Sequence, residues 1–118
     1  MTTDLQVESI RNLNDAFRTD LRGPLASLAS IHLVITRGVA QRGVDFTARA
    51  LEAVRRFNDF VPENDPFGEH DFGAFELDDK TLFWKIDYYD EDLEDGSPDP
   101  ADANVTKRVL TIMFADEY

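Results

Sequence analysis

A short stretch after residue 62 carries the densest polar chemistry of the chain. It combines carboxylates with one of the two histidines of the sequence, at Glu63, Asp65, Glu69, His70 and Asp71. Carboxylate oxygens are the ligands that Mg²⁺, Mn²⁺ and Ca²⁺ prefer, and a metal held there could activate water for phosphodiester hydrolysis. One candidate is therefore a metal-dependent hydrolase centred on Asp65, Glu69, His70 and Asp71.

The same stretch also fits a purely structural role. Asp and Asn side chains accept backbone N–H groups in turns, and Asn64, Asp65, Pro66 and Gly68 are typical turn residues. An enzyme of phosphoryl transfer also needs positive groups for the substrate phosphates, and only Lys85 lies close in sequence. We therefore favour the structural interpretation, assign no catalytic residue, and expect no metal and no other cofactor.

Nearly all of the negative charge lies in the second half of the sequence. Residues 1–60 contain seven Asp and Glu against eight Arg, a net charge of +1. Residues 61–118 contain seventeen acids against four Lys and Arg, a net charge of −13. Such a surface repels nucleic acid and anionic membranes and attracts basic surfaces. Because duplex DNA carries one charge per ~1.7 Å, thirteen charges match about 22 Å of duplex.

This distribution suggests a small acidic binding protein. Our hypothesis is a nucleic-acid mimic, in the style of an antirestriction or anti-CRISPR inhibitor, that blocks a basic, nucleic-acid-binding partner protein and itself binds neither nucleic acid nor membrane. Two alternatives remain besides the hydrolase: an acidic surface that serves only solubility, and an accessory protein that uses a basic helix over residues 44–60. The carboxylates that would replace phosphates are Glu63, Asp65, Glu69, Asp71, Asp87, Asp90, Glu91, Asp92, Glu94 and Asp95.

Two amphipathic helices are predicted to support these loops. Ile10, Leu13, Phe17 and Leu21 are spaced as on one helix face, after a capping box at Thr3 and before Gly23-Pro24. The second helix is predicted over residues 44–60, with a stripe of apolar residues on one face. Arg49, Arg55 and Arg56, together with Arg42 just before the helix, are predicted to face solvent.

Four strands complete the predicted fold. Residues 28–36 are rich in β-branched side chains, and residues 72–77, 81–89 and 108–115 follow, with a short hairpin connection at residues 78–80 and a long acidic loop over 90–104. The order is α-β-α-β-β-β. We predict an α+β fold in which an antiparallel sheet of about four strands carries both helices on one face.

Composition sets the remaining limits. A chain of 118 residues with 42% apolar residues can bury one core, so we expect a single domain over residues 1–118. The absence of cysteine excludes disulfides and thiolate metal sites and is typical of a reducing cytoplasm. We find no targeting segment and no apolar run of the ~20 residues that a membrane span requires.

Four sequence blocks resemble a family of short bacterial proteins that is catalogued only as a domain of unknown function. The blocks are NDPFGEHDFGAFE (64–76), WKIDYYD (84–90), SPDP (97–100) and RVLTIMFADEY (108–118). Members of this family are often associated with plasmids or phages. The resemblance implies a prokaryotic cytoplasmic protein, and it supplies no activity.

Overall fold

The structure, a computed structural model, describes residues 4–20 and 33–118. Within these residues the chain forms three α-helices, four strands and a final 3₁₀ turn. The helices are α1 (Asp4–Thr19), α2 (Arg37–Ala40) and α3 (Val44–Arg56), the strands are β1 (Leu33–Ile35), β2 (Phe72–Leu77), β3 (Lys80–Tyr89) and β4 (Lys107–Phe114), and the turn is Ala115–Glu117.

The four strands form one sheet in the order β1-β4-β3-β2. Strands β2, β3 and β4 pair antiparallel, whereas β1 runs parallel to β4, with Leu33 beside Leu110 and Ile35 beside Ile112. The predicted α+β class and the number of strands are confirmed. The described sheet is mostly antiparallel, as predicted, and the parallel pairing of β1 with β4 is an addition that the sequence pattern could not show, because the pattern indicates which side of a strand is buried and not the direction of its neighbour.

The last three strands lie within one residue of their predicted bounds, since their apolar residues alternate clearly. Of the predicted strand over residues 28–36, only β1 falls within the described residues. Thr3, Gly23-Pro24 and His32 lie outside them. The short helix α2 was not predicted; Thr36 begins it by accepting the N–H of Val39.

The core lies between one face of the sheet and the helices. Leu82, Trp84 and Ile86 of β3 alternate onto this face and pack with residues of β4, α2 and α3, and Phe17 of α1 packs against the same cluster. Burying each large apolar side chain contributes roughly 1.5–3 kcal/mol. The buried members are Val39, Phe46, Ala50, Leu51, Val54, Leu82, Trp84, Ile86, Leu110 and Ile112.

The opposite face of the sheet carries the residues between these positions. Phe83, Lys85 and Asp87 of β3 lie there, and Phe72 of β2 pairs with Lys85 in the register. The predicted alternation of β3 therefore places its apolar core residues and its polar residues on different faces. In the described part of the chain, no helix has the length and apolar character that crossing a membrane requires.

Candidate functional site

The two acidic loops emerge at the same end of the sheet. β2 begins, β3 ends and β4 begins there, so residues 61–71 and residues 90–106 are neighbours in space. The first loop contains four Asp and Glu, the second contains seven, and neither contains Lys or Arg. We call these two loops the acidic end of the molecule. At the other end of the sheet lie the hairpin turn at Asp78-Asp79 and the final 3₁₀ turn.

The first acidic loop is held in place by α1. Asn14, which is 0% exposed, donates one hydrogen bond to the backbone carbonyl of Glu69 (2.9 Å) and another to the hydroxyl of Tyr88 (2.8 Å). Arg11 donates to the carbonyl of Gly68 at 3.1 Å. The loop therefore takes its position from helix side chains more than fifty residues away in sequence.

The second acidic loop belongs to the same buried network. Arg108, 7% exposed, donates through Nε to Oδ1 of Asn14 (2.6 Å) and through a terminal nitrogen to the carbonyl of Pro100 (2.6 Å). The Tyr88 hydroxyl donates to Oε1 of Glu69 at 2.8 Å. Burial raises the pKa of Tyr88 and lowers that of Arg108. One network thus fixes both loops to α1 and to the sheet.

His70 closes the first loop against the helix. Its backbone adopts a positive φ of 55°, and its ring stacks on Phe60 with 3.6 Å between the ring centroids. Nδ1 lies 2.9 Å from Oδ1 of Asp15, and Nε2 lies 3.5 Å from Oδ2 of Asp65, which also accepts the His70 backbone N–H. Each ring nitrogen therefore faces a carboxylate, and Phe60 covers one ring face.

These contacts give structural roles to Asp65 and Glu69, two of the candidate hydrolase residues. Asp65 shapes the turn through the N–H of His70, and Glu69 holds Tyr88. Among the described residues, no group of three or more His, Asp and Glu side chains is arranged to hold a metal ion. The geometry agrees with the turn-forming role that we favoured for Asp65 from the sequence.

Asp71 differs from the other carboxylates of the loop. Burial, together with the charges of Glu69, Asp65 and Asp87, raises its pKa to about 6. Negative groups therefore crowd together where β2 begins. On the face of the sheet that carries Phe83, Asp87 accepts a hydrogen bond from Lys85 at 2.7 Å, and this contact raises the pKa of Lys85.

In the second acidic loop, Asp90 stabilises a turn, whereas the other candidate carboxylates are exposed to solvent. Asp90 accepts the backbone N–H groups of Asp92 and Glu94, and it donates its own N–H to the carbonyl of Asp95. Five of the ten candidate binding residues are exposed, and they lie on both loops of the acidic end: Glu63, Glu91, Asp92, Glu94 and Asp95.

The arginines of α3 do not neutralise this end. Arg49 pairs with Asp45 and with Asp78 of the hairpin, at 3.1 and 2.8 Å. Arg55 and Arg56 both pair with Glu52. These contacts weaken the alternative of a basic helix that binds an acidic partner, since all three arginines of α3 already meet carboxylates.

Comparison with known proteins gives one match. The family model described as "Protein of unknown function (DUF3768)" matches residues 35–117. The chain belongs to the DUF3768 family. No curated protein and no solved structure matches it. The DUF3768 match covers β2, β3, β4 and both acidic loops, includes only the last residue of β1, and excludes α1.

A groove borders the acidic end of this DUF3768 protein. Phe72, Phe83 and Tyr118 form an aromatic cluster that lines the groove, with ring centroids 5.0 to 6.3 Å apart, and Phe67 also lines it. The groove has a volume of about 470 Å³ and is also lined by Glu63, Asn64, Pro66, Asp71, Lys85, Ile86 and Asp87. We call it the aromatic groove.

Sequence reasoning named Glu69 of the network and the groove carboxylates Glu63, Asp71 and Asp87, but it missed the other side chains that build the network and the groove. Asn14 and Arg18 occupy the apolar stripe of α1 beside Phe17, and a polar residue in such a stripe is a readable sign of a buried hydrogen bond. Phe67 and Tyr118 carried no comparable sign, because an exposed aromatic residue has the same appearance in a sequence as a buried one.

Proposed function

We propose that this protein is a small acidic binding protein whose acidic end occupies the nucleic-acid-binding surface of a basic partner. The observation that carries the proposal is the meeting of two loops, with eleven Asp and Glu and no Lys or Arg, at one end of one sheet. Charges gathered in this way steer a basic partner to that end and speed its association.

The buried network supports binding by holding the loops in one arrangement. Asn14, Tyr88 and Arg108 connect both loops to the sheet through hydrogen bonds of 2.6 to 2.9 Å. A pre-ordered surface loses less conformational entropy on binding than a flexible one. The acidic end thus resembles a fixed array of phosphates more than a disordered acidic tail.

The geometry also suggests separate roles for eight of the ten candidate residues. The exposed carboxylates Glu63, Glu91, Asp92, Glu94 and Asp95 are proposed to contact the partner. Asp65, Glu69 and Asp90 are proposed to position the loops through the hydrogen bonds that they accept. The eleven carboxylates of the acidic end carry the charge of about 19 Å of duplex, a length that fits along the described residues, which span 40 × 32 × 23 Å.

Affinity for a basic probe tests the proposal. A fluorescein-labelled peptide of alternating Arg and Gly is titrated with the protein in low and in high NaCl, and binding is followed by fluorescence anisotropy. We expect the affinity to fall steeply as salt rises, because exposed charges are screened. An affinity that does not change with salt would defeat the proposal.

Two matched triple variants then locate the binding surface. Glu91→Gln/Asp92→Asn/Asp95→Asn removes three charges from the acidic end, and Glu76→Gln/Asp79→Asn/Asp116→Asn removes three elsewhere. We call them the loop triple and the control triple. The loop triple should bind the peptide about tenfold more weakly at low salt, at a few tenths to 1 kcal/mol per exposed pair, and the control triple should bind within about twofold of wild type. Equal losses in both variants would show that only the total charge matters.

Competition separates nucleic-acid mimicry from general attraction to basic surfaces. Proteins retained from a bacterial lysate by the immobilised protein are washed with a duplex oligonucleotide. A mimic shares its binding surface with DNA, so the duplex should release the retained partner, and the loop triple should not retain it. A partner that stays bound in excess duplex would contradict mimicry.

A further inference from the structure

We propose that the aromatic groove binds an arginine side chain of the basic partner. The inference rests on the proposed function, since it names the group that the partner inserts beside the acidic end. The groove combines three features that a guanidinium requires: exposed aromatic faces, carboxylates and a volume of about 470 Å³, within the usual range of binding sites.

Two exposed aromatic side chains provide the first feature. Phe67 and Tyr118 are each 77% exposed, and both line the groove. Tyr118 is held edge-on against Phe72 and Phe83, at interplanar angles of 83° and 78°, so its position is fixed by the sheet beneath it. Cations bind over aromatic faces, and a planar guanidinium can also stack on them.

The charges of the groove favour a cation over other ligands. Glu63, Asp71 and Asp87 line it against a single cation, Lys85, whose Nζ lies 2.7 Å from Asp87. The surplus of negative charge excludes phosphates and carboxylates as ligands. The crowding of carboxylates around Asp71 would also be relieved by an added positive charge.

The aromatic content selects arginine over lysine. An ammonium group is compact and strongly hydrated, whereas the guanidinium is planar, more weakly hydrated and able to donate two parallel hydrogen bonds to a carboxylate. The groove is lined by both aromatic residues and carboxylates, so it satisfies both properties at once.

A direct titration tests the groove without any partner. N-acetylarginine amide is added to ¹⁵N-labelled protein, and the amide resonances of Phe72, Phe83 and Tyr118 are followed by NMR. We expect these resonances to shift in a saturable way, less with N-acetyllysine amide and not at all with N-acetylglutamine amide. No shift at these amides, or an equal shift with the glutamine derivative, would overturn the proposal.

Substitution of Phe67 provides the second test. Phe67→Ala should weaken binding of N-acetylarginine amide and of the Arg-Gly peptide by about threefold, the usual size of an exposed cation–π contact. Val44→Ala, which truncates another exposed apolar side chain away from the groove, is the matched control and should change neither affinity. Since Phe67 is exposed, the melting temperature should stay unchanged, and this is measured for both variants.

The two proposals fail in distinguishable ways. If the peptide binds with steep salt dependence and Phe67→Ala has no effect, the groove proposal is wrong and the acidic end retains its function. If arginine amide shifts the groove resonances while the peptide shows no salt dependence, the groove proposal stands and the mimic proposal is wrong. The loop triple should reduce the salt dependence, whereas Phe67→Ala should leave it unchanged.

Discussion

The surroundings of Asp71 disfavour the ionised form of its carboxyl group. Its pKa rises to about 6 in the folded protein, because burial and the charge of Glu69 disfavour the ionised form. The folded state therefore keeps a proton over a pH range in which the unfolded chain has lost it. The contribution of Asp71 to the free energy of unfolding therefore falls as the pH rises from about 4 to about 6.

Asp71→Asn should remove this penalty. We expect the variant to exceed wild type in free energy of unfolding at pH 7.5 by about 1 kcal/mol, a value reduced for partial solvent screening, and to lose most of this advantage at pH 4.5. Urea denaturation at both pH values measures the difference, with the exposed Glu91→Gln as control. A variant less stable than wild type at pH 7.5 would show that the ionised carboxylate is required.

The sequence showed which residues of the acidic loops carry carboxylates. It did not show which of these side chains face inward. The turn-forming role of Asp65 was readable from its neighbours Asn64 and Pro66, because such turns are local. The inward role of Glu69 was not, since its partner Tyr88 lies nineteen residues away and is joined by Asn14 of another element. Contacts of this kind depend on the tertiary fold.

At the scale of elements, Arg18 connects α1 to the end of α3. It is 3% exposed and donates to the carbonyls of Val54 and Phe57, both at 2.8 Å. Its guanidinium also lies over the rings of Phe60 and Trp84. These carbonyls lie at the C-terminal end of α3, where a helix leaves its last carbonyls without internal partners.

The helix ends at Arg56, four residues before the predicted end, and Phe57 is already extended.

Arg18→Met should therefore destabilise the protein strongly. The substitution keeps an apolar side chain over the rings but removes the Arg18 donors, so the Val54 carbonyl keeps only the Phe57 N–H at 3.3 Å and the part-buried Phe57 carbonyl loses its charged partner. We expect a cost of about 2–4 kcal/mol in free energy of unfolding. Arg56→Met, on an exposed site of α3, is the matched control and should cost less than about 0.5 kcal/mol. Urea denaturation measures both, and a loss below about 1 kcal/mol for Arg18→Met would contradict the capping role.

Helices and strands whose apolar residues recur at regular spacing were predictable from the sequence. The elements that they pair with or pack against were not. Strand β2 was predicted at its observed bounds, and β3 and β4 within one residue, because their buried residues alternate. The parallel pairing of β1 with β4 joins residues far apart in the sequence, such as Leu33 and Leu110, and no local pattern encodes such a contact. The end of α3 was missed for the same reason, since Arg18 and the aromatic residues after Arg56 determine it.

At the scale of the whole molecule, the gathered charges must lower stability. Eleven carboxylates lie in two neighbouring loops, and the chain carries a net charge of −12. Like charges held close together repel one another, and salt screens this repulsion. A surface shaped for binding a basic partner is therefore expected to destabilise the free protein, as functional sites often do.

The loop triple tests whether repulsion among these carboxylates lowers the stability of the free protein. We expect Glu91→Gln/Asp92→Asn/Asp95→Asn to raise the melting temperature by about 3–5 °C at low salt and by clearly less in high NaCl, because salt already removes the repulsion from wild type. The control triple should shift it less, and Asn at position 79 tolerates the positive φ of that turn, so its fold is kept. Differential scanning calorimetry at two salt concentrations measures all three proteins. If the loop triple lost peptide binding and also melted at a lower temperature than wild type, its weaker binding would reflect a damaged fold, and the exposed carboxylates would have no demonstrated role in contacting a partner.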